Sequence, residues 1–137
     1  MILVCVTEQK SCRRLIDAGH KLAEKAGMPL KVICVRSPEQ NRWLASEEVE
    51  ELLAAAREKE AEMIIKFSHD PVQAVSSYIA SQPIRAILTG TPSYDQRSLF
   101  IQALSRRHSG IPLIQVDTAG RCQTDMTLKP VRTASSS

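Results

Sequence analysis

Aromatic residues make up only 4% of the 137-residue chain. That leaves few platforms on which single-stranded nucleic acid could stack. No basic stripe interleaved with aromatics is present. The net charge of +3 resides largely in the tail, where Arg121, Lys129 and Arg132 stand against Asp125 alone. The pattern predicts no nucleic-acid partner. No run of eighteen apolar residues exists, which predicts no membrane span and no membrane partner. The opening stretch Met1-Ile2-Leu3-Val4-Cys5-Val6 has no basic flank and no small-residue cleavage site, so it reads as a strand and not as a signal peptide. The 4 cysteines form no CxxC pair, and no histidine stands at metal-ligand spacing from any of them, so no metal site is expected. Cys5 and Cys34 lie in apolar runs, as buried reduced thiols of a cytoplasmic protein would. Cys12 is the one cysteine whose position, at the start of a helix beside Arg13 and Arg14, favours a lowered thiol pKa.

What remains is ordinary for a folded domain: 43% hydrophobic and 24% charged residues, which excludes disorder, collagen and a free coiled coil. Short, nearly continuous apolar runs occur at Ile2–Val6, Leu30–Val35, Met63–Phe67, Ala86–Leu88 and Leu113–Val116. Such runs suit strands buried on both faces. Amphipathic stretches separate them. Leu15, Ile16, Leu22 and Ala23 mark one helical face, with Gly27 as the stop. Ser46 is a good N-cap for a helix carrying Val49, Leu52, Leu53 and Ala56. Asp70-Pro71 opens a third helix, which Gln82-Pro83 ends. Asp95 caps a fourth, closed by the cations Arg106, Arg107 and His108, before Gly110. The order βαβαβαβαβ predicts a doubly wound, five-stranded parallel α/β sheet with helices on both faces. Residues 1–117 form this domain. Residues 118–137 read as a polar tail, partly mobile or docked on the sheet edge, with Met126–Val131 the segment suited to that edge.

In an open parallel sheet a ligand sits beyond the carboxyl ends of the strands. The loop Thr89-Gly90-Thr91-Pro92-Ser93 is the most informative there. It follows a strand, precedes a helix, and carries hydroxyls at Thr91, Ser93 and Ser98, with Arg97 able to reach an anion. Gly90 would allow a sharp turn. The histidines make no catalytic set. His20 lies inside a helix, His69 beside Asp70 at the end of the third strand, and His108 at a helix end. Ser68-His69-Asp70 is not a nucleophile triad, because sequence neighbours do not converge on one point. Glu47, Glu48, Glu50 and Glu51 form a solvated helix face. Trp43 falls in a polar loop ahead of the second helix.

The opening strand with Cys12-Arg13-Arg14-Leu15-Ile16-Asp17-Ala18, the helix around Glu50-Glu51-Leu52-Leu53, and the segments Ile84–Gly90 and Gly110–Val116 resemble the universal stress proteins in order and length. The related cytoplasmic domain of potassium-sensing histidine kinases is similar in the first strand and loop. The resemblance implies strand order 3-2-1-4-5 and a homodimer paired through the last strand. It also implies an ATP or AMP site between strands one, two and four. By position, Thr7 stands where nucleotide-binding members carry an aspartate. Val35 and Arg36 stand at the adenine-facing end of strand two, and Gly90 at the first glycine of the phosphate loop. The departures are as informative. Ser93 occupies the second glycine position, no glycine falls around Leu99–Ala103, and Pro92 removes an N–H from the cradle. These residues predict a degenerate nucleotide site in a non-catalytic stress or signalling module that dimerises or docks on a signalling protein. The alternative is an ATP- or AMP-binding module or weak nucleotide hydrolase using the Gly90–Ser98 loop.

Overall fold

The buried apolar runs become strands and the amphipathic stretches become the crossovers between them. The computed structural model describes residues 1–6, 12–90, 99–116 and 122–124. Its strands are β1 (Ile2–Val6), β2 (Leu30–Arg36), β3 (Glu62–Phe67), β4 (Ala86–Gly90), β5 (Leu113–Val116) and β6 (Cys122–Thr124). Its helices are α1 (Cys12–Ala26), α2 (Glu47–Glu58), α3 (Pro71–Ser81) and α4 (Leu99–Arg107). The sheet order is β3-β2-β1-β4-β5-β6. The first five pair in parallel as 3-2-1-4-5, as expected.

Alternation along each strand divides the core in two. Val4, Val32 and Leu88 face α1 and α2, packing with Ile16 and Leu52. Leu3, Ile33 and Ile87 face the other way, packing with Val75 of α3 and Leu104 of α4. β1 is buried on both faces along its whole length, which is why it carries no polar residue. The helix signals act locally as the chemistry requires. Gly27 takes a positive φ of +68 that ends α1. The Ser46 hydroxyl accepts from Val49 N at 3.4 Å, and the Asp70 carboxylate accepts from Gln73 N at 3.1 Å.

Three features depart from the sequence reading. Trp43 lies not in a loop but in a 3-10 segment, Pro38–Ala45, that leads into α2. The edge of β5 is closed by β6, which pairs with it antiparallel, Gln115 opposite Gln123. β6 is three residues long, too short and polar to show as a strand by periodicity. It precedes Met126–Val131, the stretch expected at an edge, which lies outside the described residues. Finally, Gly19 lies where α1 comes closest to the sheet.

His108 also differs from expectation. Its Nε2 lies 3.0 Å from the hydroxyl of buried Ser76 on α3, while Arg107 donates to Gln73 at 3.2 Å. Burial, and then the neighbouring Arg107 charge, hold the imidazole pKa below 6.5. It is a neutral link between α3 and α4, not a helix-end cation. The unfolded chain therefore binds the proton first as pH falls. The contribution is intact above pH 6.5 and is lost as pH drops through the lower folded value. Thermal melts from about pH 7.5 to 5.5 should show Tm falling more steeply in the wild type than in His108→Gln; equal slopes would count against the assignment.

Candidate functional site

β1 leads outward to β2 and β3, while β4 lies on the opposite side of β1. The order of connection therefore reverses between β1 and β4, and the carboxyl ends of these strands are where an open parallel sheet holds a ligand. Val6 and Gly90 end these two strands. Arg36 ends β2 next to them, and its carbonyl accepts from Ser68 N at 2.8 Å, fastening the start of the β3–α3 turn to β2.

Of the residues expected at this site, Val35, Arg36 and Gly90 are described; Thr7, Thr91, Ser93, Arg97 and Ser98 lie outside the described residues. The side chains of Cys12, Trp43 and Cys122 also lie outside them. Val35 and Arg36 do not act together. Val35 is packed in the core layer under α3 and α4. Arg36, one residue on, belongs to the opposite face of β2. It is 7% exposed and hydrogen-bonds the Cys34 thiol. Burial pushes that thiol's pKa up, against a smaller opposing pull from the guanidinium. Cys5 is buried without such a neighbour and is pushed up to about 12. Both thiols are therefore held protonated and unreactive.

Gly90 is a correction. It is the last residue of β4, paired with Val116, and not a turn residue. Its φ is not positive, and an added Cβ would meet nothing within 4 Å among the described residues. Neither its backbone conformation nor packing against the described residues requires glycine there.

Thr89 is the residue the sequence reading passed over. It pairs with Cys5 on one side and Gln115 on the other. It is 3% exposed, and its hydroxyl has no hydrogen-bond partner among the described residues. Counting alternation onward from buried Ile87 would have placed it inward at the strand end. A hydroxyl left without a partner in the interior costs roughly 1–3 kcal/mol.

The histidines near this end form no acid–base set. Exposed His69 lies 3.3 Å from Glu39, joining the β3–α3 turn to the 3-10 segment. The Ser68 hydroxyl accepts from Asp70 N at 3.0 Å, a local turn contact. His20 pairs with Glu24 one helical turn away, at 3.5 Å. No group of three metal-ligating side chains occurs among the described residues, and no helix there is long and apolar enough to cross a membrane.

No protein-family model matches the sequence, and no curated protein matches it. Solved structures do. A universal stress protein from Archaeoglobus fulgidus superposes with a TM-score of 0.61 at 16% identity, over 83% of this chain and 96% of its own. The universal stress protein from Archaeoglobus fulgidus in complex with dAMP gives 0.60 at 16% identity, covering 83% of this chain and 94% of its own. A member of the same family from Burkholderia pseudomallei gives 0.50 at 17% identity, with coverage of 83% and 94%. The fold is that of the universal stress proteins.

Proposed function

We propose that this chain, built on the universal stress protein fold, is a non-catalytic stress or signalling module of that family, cytoplasmic, acting through self-association or docking on a signalling protein. What supports this reading is the carboxyl end of the sheet between β1 and β4. It is bordered by apolar Val6, the buried Thr89 hydroxyl and Gly90, with the Arg36 guanidinium buried at the next strand end. Sequence continues the same theme: Thr7 offers no carboxylate to a ribose diol, Pro92 offers no N–H, and Ser93 stands in place of a glycine. A triphosphate needs a long cradle of main-chain donors, and Pro92 takes one donor from this loop while Ser93 replaces the glycine that would let the backbone wrap closely. Isothermal titration with ATP, ADP and AMP should show no ATP binding in the micromolar range. Micromolar ATP affinity would overturn the reading.

A second reading is favoured by two observations. A fold neighbour is in complex with dAMP, and Thr89 holds a buried hydroxyl without a partner among the described residues. A monophosphate needs fewer main-chain donors than a triphosphate, and Thr89 with Gly90 ends β4 at the point where the order of connection reverses. On this reading AMP raises Tm and ATP does not. Thr89→Val then removes the AMP response while raising the intrinsic stability by about 1 kcal/mol, because an unsatisfied hydroxyl becomes an isosteric methyl. Detectable nucleotide hydrolysis abolished by Arg97→Ala would instead favour a weak hydrolase.

A further inference from the structure

The two edges of the sheet are unlike. At one, β6 covers β5. At the other, no strand among the described residues pairs with the outer side of β3. β3 is six residues long, contains no proline, and is at least partly exposed along its whole length. An uncovered strand edge of this length is a template for another strand.

The backbone fixes which groups it offers. Ser68 N donates inward to Arg36 O. By alternation the even-numbered amides of β3 point towards β2, and those of Met63, Ile65 and Phe67 point outward. The side-chain pattern then reads as its own complement. Glu62 and Lys66 flank Ile64 at equal spacing on one face. A two-fold axis through Ile64 would set Glu62 of one copy opposite Lys66 of the other, twice. Met63 and Ile65 would face each other as a pair exchanging both N–H···O bonds. Shifting the register by one pleat in one direction sets Lys66 against Ile64 and leaves both charges unmatched. Shifting it in the other sets Glu62 against Ile64 and Lys66 opposite Glu60, which lies before β3 with a φ of 56 that does not extend the ladder. On the other face, the same axis sets Phe67 of one copy opposite Ala61 of the other. Ala61 borders an open recess beside the start of β3, lined by the apolar Leu53, Ala56 and Met63 and by the charged Arg57, Glu60 and Glu62.

We propose that β3 pairs antiparallel with β3 of a second copy of this chain, in the register that matches Glu62 with Lys66, so that the two sheets run on as one. Glu62 already accepts from Lys31, its neighbour across β2, and its second oxygen remains for the partner's lysine. The aromatic ring of Phe67 would cover the recess. The contact is one form of the self-association proposed above and does not depend on whether the carboxyl end of the sheet takes a nucleotide.

The test is sedimentation equilibrium on the full chain, with circular dichroism to confirm that each variant is folded. The wild type should dimerise. Lys66→Glu makes the edge wholly acidic and Glu62→Lys makes it wholly basic. Each should weaken self-association by about tenfold or more. An equimolar mixture of the two variants should associate again, since every opposing pair is then complementary. Three results would overturn the proposal: a monomeric wild type, a Lys66→Glu dimer as tight as the wild type, or folded variants that do not associate when mixed. The second would place any dimer on another surface. The first would leave docking on a different protein as the surviving part of the functional proposal.

Discussion

Replacing Val4 by aspartate is expected to abolish the cooperative melt. Val4 is fully buried and sits midway along β1, paired with Val32 on one side and Leu88 on the other. The cluster around it is made of Ile16, Val32, Cys34, Leu88 and other apolar side chains. The substitution loses about 1.5–3 kcal/mol of apolar burial and adds several kcal/mol for a carboxyl without partners. A domain of this size is stable by about 5–15 kcal/mol in all, so the loss takes most of the margin. Val4→Ala is the control. It should cost about 1–3 kcal/mol and keep a sharp transition. Thermal and urea melts followed by circular dichroism separate the two. A cooperative transition retained in Val4→Asp would contradict the placement of β1 at the centre of the sheet.

Gly19→Val should be the next most damaging change. Gly19 lies in the middle of α1, where glycine is unfavourable by about 1 kcal/mol against alanine. Its presence is explained by distance. A Cβ at this position would lie 2.6 Å from Val4 Cγ2, 3.1 Å from Leu30 Cδ1 and 3.8 Å from Leu88 Cδ2. The nearest of these belongs to a β-branched side chain held in the core, which has little freedom at χ1. A valine there must push α1 off the sheet, at a cost of about 3 kcal/mol. Gly19→Ala should lose less, near 1 kcal/mol, because helix propensity offsets part of the overlap. The two sites are coupled. In the Val4→Ala background the obstructing methyl is gone, and Gly19→Ala should become neutral or stabilising. A double-mutant cycle measures this directly. Additive losses would mean that α1 does not approach the sheet at Gly19.

The two substitutions probe the same contact from opposite sides, and they show where sequence reading stops. Val4 is legible because burial on both faces of a strand writes itself as a continuous apolar run. Gly19 is not, because a glycine inside an amphipathic helix looks like a propensity defect until the distance from helix to sheet is known. The candidate site divides in the same way. That any ligand would be sought beyond the strand ends followed from the alternation of strands and helices. That Thr89 points inward with its hydroxyl unsatisfied, that Val35 and Arg36 face opposite sides, and that Gly90 belongs to a strand all depend on register. Register is set by pairing with distant residues.

Local chemistry alone determined the five parallel strands, three of the helix boundary signals and the fold class. Apolar periodicity, caps and stops act within a few residues, and right-handed crossovers leave few ways to assemble them. Only the tertiary structure decided that β6 closes one edge, while no strand among the described residues pairs with the outer side of β3 at the other. It also turned His108 into a neutral link to Ser76. These outcomes rest on contacts between residues far apart in the chain, whose energies come from burial and pairing that no local window contains.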